Sequence, residues 1–536
     1  MTTVIFNPLE EFDTKYRALH GEKTNQFFDE LTQRSGVDIE LNRKTVAQYN
    51  QIKENLVSLR RKFNWLRFWR VLMCITILPI PLVILKVTPK IRQLREQISD
   101  ADALAEKLLT EAYAQMQPLN NLFTDRDALH IIEQTVPLMD FHDYFSVKQE
   151  ADMRINYDFA LTDDDEQSTL DVLAGHYNEN PFLFENKLVH TMGEETYHGY
   201  LTIYWTETYF EDGKLRTRQE SDTLHATVTK PKPFYNTQVV LNYCSQGGPE
   251  LTFSRDASHL EQKNDRQIDR MIRRGERKLS RKANKALKGD GDFTSMSNTE
   301  FEVLFDALDR SNEVQFRTLF TPLAQTNMVE LIRSKVGYGD DFNFLKRNRT
   351  NLIVSNHSQG RDINLLPGSF ASYCYDTIRQ NFVGKNTEFF KAVYFDFAPL
   401  LAIPLYQERP VHSLKPVPDY DQQYSLKESE ALANAVDSSY VLHPDSKTPG
   451  ILKSSFVASQ DSIDETCITA YSYDIAKRVE MVRMLGGDGK FHNVPVEWDE
   501  YLPLEMQSTF YVASNEAAKG KSILTRRSGL CIFNEN

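Results

Sequence analysis

The sequence predicts an α+β protein in three parts. An N-terminal antiparallel coiled-coil helical hairpin carries an apolar Pro-x-Pro tip that contacts a membrane. A mainly antiparallel β domain follows, and then a mixed α+β C-terminal region. Three observations predict this. The run VLMCITILPIPLVIL (71–85) carries no charge and lies between cationic flanks. Apolar residues alternate spacings of four and three on both sides of it, the a/d signature of a coiled coil. From about residue 152 the pattern changes to the period-two alternation of strands.

Residues 1–50 read as a polar helical segment broken at Ser35-Gly36. Residues 51–118 form the hairpin. Its heptad positions are Ile52, Leu56, Leu59, Phe63 and Leu66 before the tip, and Ile84, Val87, Ile91, Leu94, Ile98, Ala101, Ala105 and Leu108 after it. Pro89 suits the first turn of the second helix. As one straight helix, residues 71–85 would span about 22 Å, short of the roughly 30 Å hydrocarbon core. Pro79 and Pro81 further handicap a continuous span. Arg60, Arg61, Lys62, Arg67 and Arg70 flank one side, and Lys86, Lys90, Arg92 and Arg95 the other. Positive flanks mark the cytoplasmic side of a membrane segment. A hairpin dipping in from that face satisfies both, with Pro79-Ile80-Pro81 as its turn. The anchor is then Trp65 and Trp69 at the interface, with Leu72, Ile75, Ile77, Leu78, Pro79, Ile80, Pro81, Leu82 and Ile84 in the apolar layer. A single span and a soluble hairpin packed on another domain are the competing geometries. The dipping hairpin implies membrane lipid as a partner and soluble domains in the cytoplasm. The heptads add a protein partner or self-association.

Residues 119–151 read as a helical connector, and LTDDDEQSTLD (161–171) as an acidic loop without calcium-ligand spacing. The β domain covers 152–259. Leu201, Ile203 and Trp205 share one face, Asp212-Gly213 makes a hairpin turn, and Leu224, Ala226 and Val228 alternate on the return. Lys230-Pro231-Lys232-Pro233 is expected to break the sheet. Residues 260–335 are helical and open with a basic helix. Its apolar side holds Ile268, Ile272, Leu279 and Leu287. Arg270, Arg273, Arg274, Arg277, Lys278, Arg281 and Lys282 form a cationic face suited to an anionic surface. A packed helix with a solvated basic face is the plainer reading. Residues 336–536 form the α+β C-terminal region, with a hairpin tip at 485–493.

Several functions are excluded or disfavoured. A net charge of −13 argues against duplex nucleic acid as a partner. Cys74, Cys244, Cys374, Cys467 and Cys531 are scattered, which speaks against a disulfide scaffold or a zinc site. No signal-peptide pattern opens the chain. No cofactor or metal motif is found. Gly520-Lys521-Ser522 has Asn515 where a P-loop needs glycine.

One catalytic pattern occurs, NLIVSNHSQGRD (351–362), in which His357 and Asp362 are spaced H-x4-D after a strand-like run. His357 would take a proton from a hydroxyl and Asp362 would orient it. This stretch resembles the glycerolipid acyltransferases, whose N-H-x4-D motif opens the active site. In LHPDSKTPG (442–450), only the proline matches that family's F-P-E-G phosphate-binding segment, and Asp445 stands in for Glu. A histidine bonded within its own loop is the more ordinary reading. The expected function is therefore a membrane-tethered cytoplasmic scaffold or interaction protein without catalytic activity. The alternative is a membrane-associated glycerolipid-type acyltransferase using His357 and Asp362.

Overall fold

Segments distant in sequence assemble into two units in the computed structural model. One gathers Met1–Leu9, Leu138–Ile363 and Asp396–Asn536; the other gathers Glu10–Pro137 and Asn364–Phe395. The structure describes residues 4–75, 87–160, 165–258, 260, 263–286, 288, 296–410, 414–527 and 529–534. Helices and antiparallel sheets are both present, so the α+β class holds.

The second unit is helical. Helix α1 (Arg17–Ser35) ends at Gly36, whose φ of 64° is the left-handed cap that glycine adopts without strain. Helices α2 (Ile39–Ile75), α3 (Thr88–Asn120) and α4 (Asp127–Thr135) follow. Gln115 bonds Asn42 and Thr45 while Asp102 bonds Arg60, so α2 and α3 pack antiparallel. Pro89 lies in the first turn of α3, where its missing N–H costs nothing. Leu56 and Ile91 are buried, and Leu59, Phe63, Leu94 and Ile98 are half-buried. The four–three stripe is thus the shielded side of both helices. The core joins Phe28, Leu31, Met116 and Phe123 to Phe370 and Phe382. His20 is buried there between Thr135 and the Asn386 carbonyl, and burial pulls its pKa down to about 4.

The first unit holds two sheets. Strands β1 (Met139–Phe141), β2 (Gln167–Tyr177), β3 (Asn180–Glu211), β4 (Lys214–Cys244), β5 (Thr252–Arg255), β6 (Phe342–Arg347) and β7 (Thr350–Ser355) order as β1-β2-β3-β4-β7-β6-β5. Strands β8 (Ile451–Gln460), β9 (Ile463–Leu485), β10 (Phe491–Ser514), β11 (Ile523–Arg527) and β12 (Leu530–Phe533) order as β11-β12-β10-β9-β8. All pairings are antiparallel. Asp212 and Gly213, with φ of 51° and 71°, make the tight turn from β3 to β4. The long β3–β4 and β9–β10 hairpins pack face to face through Ile203, Leu224, Ala226, Val494 and Val496. Helix α5 (Val147–Tyr157) opens with a capping box of Ser146 and Gln149. Helices α6 (Asp265–Ala286) and α7 (Thr299–Phe305) pack together, and α8 (Leu426–Asn434) packs on β2 and β8.

Three local expectations change. β4 runs straight through Lys230-Pro231-Lys232-Pro233. The i, i+2 spacing directs both missing donors to one edge of the strand, and β3 on the other side is the only strand among the described residues paired with β4 at that level. The acidic stretch is a loop only in part. Residues 161–164 lie outside the described residues, and β2 begins at Gln167. Finally, β6 and β7 arrive from beyond residue 336 yet complete the sheet between β4 and β5.

The outward face of the β3–β4 arm carries no charge from the Thr196–Thr229 pair to the tip, and exposed Glu194 bounds that strip. Even positions 196–210 and odd positions 215–229 are all exposed, and all are Thr, Tyr, His, Ser, Gln, Phe or Leu. A surface normally carries about 25–35% charged residues.

Candidate membrane-contact site

The α2–α3 pair extends toward the uncharged run. Beyond the Arg60–Asp102 contact, α2 continues through Trp65, Phe68 and Trp69 to Ile75. Those three aromatics are 61%, 63% and 37% exposed and meet edge to face. Exposed rings of this size are at odds with water and suited to a polar–apolar interface. Leu72 and Ile75 lie on α2, with side chains outside the description. Ile77, Leu78, Pro79, Ile80, Pro81, Leu82 and Ile84 lie outside the described residues. Among the described residues, no helix is long and apolar enough to cross a membrane.

Below the aromatics the two helices enclose a cleft of about 630 Å³. Arg60, Arg67, Arg70 and Arg95 line it, with Phe63, Asn64, Ile91 and Ile98, and no described carboxylate does. Arg60 Nη2 donates to Asp102 at 2.8 Å. No described carboxylate pairs with Arg67, Arg70 or Arg95.

The basic helix α6 docks by its apolar side. Ile268 and Leu279 are buried, and Leu287 lies outside the described residues. Gly275 permits the approach to α7, because a Cβ there would sit 2.4 Å from Val303 Cγ1. Arg270, Arg273, Arg274, Arg277, Lys278 and Arg281 are exposed. Lys282 differs. It is half-buried, and its Nζ donates to the Leu308 carbonyl at 2.7 Å.

His357 sits on a 3-10 turn at the end of β7 with its side chain 6% exposed. Its partners are not the one the sequence spacing picks out. Nδ1 lies 2.6 Å from Asp341 Oδ2, and Nε2 lies 3.4 Å from Asp396 Oδ1. The ring stacks on Tyr338 with centroids 3.8 Å apart. Asp396 also accepts from Ser358 Oγ at 2.8 Å and Arg361 Nη2 at 3.1 Å. Burial lowers the Arg361 pKa, against the pull of Asp396. Asp362 is exposed and makes no bond to His357. A general base needs a nitrogen facing its substrate; here both nitrogens face carboxylates. The second motif segment forms a turn before β8, with Asp445 exposed.

Two clusters escaped the sequence reading because their members are far apart in the chain. Asp140, His142 and His176 could bring three ligand atoms within 4.8 Å. The hydrogen bonds oppose a cation there. Gln149 Oε1 accepts from Ser146 N–H at 2.8 Å, which aims Gln149 Nε2 as a donor at His142 Nδ1. His142 then carries its proton on Nε2 and donates it to His176 Nδ1 at 2.7 Å. The second cluster surrounds α8. Burial would raise Glu185, but the Lys427 and Lys187 ammoniums hold it at about 2. Burial pushes Glu150 and Glu430 up to about 7.

Compared with known proteins, the chain matches no family model, no curated sequence and no solved structure.

Proposed function

We propose that this chain is a membrane-tethered scaffold without catalytic activity of its own, its soluble parts in the cytoplasm. The α2–α3 hairpin carries the tether. The apolar run 71–85 dips into the bilayer and turns at Pro79-Ile80-Pro81. The observation that carries the reading is the exposed Trp65, Phe68 and Trp69 where α2 enters that run. Burying one such ring recovers about 150–250 Å² of contact, at about 25 cal/mol per Å² of apolar area. The cationic face of α6 adds an attraction to anionic lipid on the order of 1 kcal/mol per near-surface charge.

The scaffold role draws on the β3–β4 arm, and the occupant its chemistry fits is a second copy of this chain. Hydroxyls both donate and accept, so a Thr- and Tyr-rich face can satisfy its own copy. A face without charge also avoids the repulsion between two chains of net charge −13. Eight residue levels make a strip roughly 48 Å long. Stacked on itself, that strip buries on the order of 1,000 Å², the lower bound for a specific interface.

The test is carbonate extraction of native membranes. Wild type is expected in the pellet, and a variant with Ile77, Leu78, Ile80 and Leu82 replaced by serine in the supernatant. Wild type in the supernatant would refute the tether.

A further inference from the structure

We infer that the arginine-lined cleft between α2 and α3 binds a phosphomonoester, presented by a lipid headgroup at the membrane surface. The inference rests on the tether reading for its lipid source, but the cleft chemistry stands on its own geometry. Four arginines line a space of about 630 Å³, and no described carboxylate does. Arg60 is held in place by Asp102. Arg67, Arg70 and Arg95 pair with no described carboxylate, so the described lining of the cleft carries a net positive charge that suits an anion.

The residue type narrows the ligand. Among the described residues no lysine lines the cleft, and Lys86 lies outside them. Guanidinium presents a planar fork that matches phosphate oxygens two at a time, whereas ammonium acts as a point charge. A phosphomonoester offers three such oxygens and up to two charges near neutral pH. A phosphodiester offers fewer of both. Phe63, Ile91 and Ile98 shield the cleft on its apolar side, and low-dielectric walls strengthen the attraction. Position points to a lipid. Arg70 immediately precedes the uncharged run, and Trp65 and Trp69 share its helix end. A headgroup held there sits at interface depth. A soluble phosphate ester shares the recognition chemistry, so the experiment separates the two sources.

Full-length protein is diluted from detergent onto vesicles and floated. One set is phosphatidylcholine alone. Two more contain phosphatidylserine or phosphatidic acid at matched surface charge. In parallel, inositol hexakisphosphate is titrated into the protein in zwitterionic detergent. Phosphatidic acid is expected to recover more protein than phosphatidylserine. The double variant Arg67→Gln/Arg95→Gln should lose that preference, with roughly tenfold or greater weakening for two cations, while keeping its recovery on phosphatidylcholine. Equal recovery on the two anionic lipids, with no binding of inositol hexakisphosphate, overturns the phosphate site. A preference that survives in the variant overturns its placement in the cleft. Variant-sensitive binding of inositol hexakisphosphate without a lipid preference keeps the site and assigns it a soluble ester. Recovery on no vesicle at all refutes the tether instead, and the detergent titration then decides the site alone.

Discussion

Glu430 offers a quantitative test of the buried charge cluster around α8. The residue is 7% exposed, and its Oε1 accepts from the Thr169 backbone N–H. Burial pushes its pKa up from 4.5 to about 7, against the opposing pull of Lys453 and Lys427. A carboxyl raised on folding means that the folded state holds the proton more tightly than the unfolded state. Stability therefore falls as pH rises through about 7, the reverse of the usual acid denaturation. For one group at 4.5 unfolded and 7 folded, linkage gives a loss of about 1.3 kcal/mol between pH 6 and pH 8. Glu150, also pushed to about 7, adds a comparable loss. Glu430→Gln keeps an oxygen for Thr169 and removes the titration. Relative to wild type, the variant is expected to gain about 1.3 kcal/mol on going from pH 6 to pH 8. Urea unfolding of the full chain in one detergent, followed by circular dichroism at both pH values, measures this. A wild-type-to-variant difference that is the same at both pH values would refute the argument.

Other substitutions probe the remaining elements. Asp341→Ala is expected to destabilise by about 1–3 kcal/mol because it strips a buried partner from His357, whereas Asp362→Ala stays within about 0.5 kcal/mol; thermal melting distinguishes them. Gly275→Leu forces α6 off Val303, at a cost of about 1–3 kcal/mol, and hydrogen exchange should rise in α6. On the arm, Thr202→Cys lies near the middle of the uncharged strip, so two copies stacked antiparallel, with the two-fold axis crossing the arm, should cross-link there under oxidation. Phe210→Cys, at the tip, should not pair with itself. Efficient cross-linking of both, or of neither, would contradict that stacking.

Local chemistry made much of this fold legible. Asp212-Gly213 announces its turn because few dipeptides accept two positive φ values. Leu201, Ile203, Leu224 and Ala226 announce the packed face of the arm by alternation alone. The four–three stripe marks the shielded sides of α2 and α3. What was hidden is non-local. His357 takes its carboxylates from 16 residues upstream, at Asp341, and from the far helix that ends at Leu401, at Asp396, while the nearby Asp362 is exposed. β6 and β7 join a sheet whose other strands precede residue 256, and no periodicity encodes such pairing. The prolines at 231 and 233 misled because the breaker rule applies to a strand paired on both sides, and β4 there is paired on one. The arginine stripe at 60, 67 and 70 was visible as charge. Its convergence with Arg95 required the antiparallel packing of α2 on α3.

The tether is the central claim, and topology tests it most directly. Single cysteines at Glu54 and Gln97, both exposed positions, are introduced into a chain lacking its five native cysteines. Intact cells and inverted membranes are then treated with an impermeant thiol reagent. Both sites should label only from the cytoplasmic side, with the protein in the membrane fraction. Labelling of one site from outside would mean a span, and recovery in the soluble fraction would contradict membrane attachment altogether.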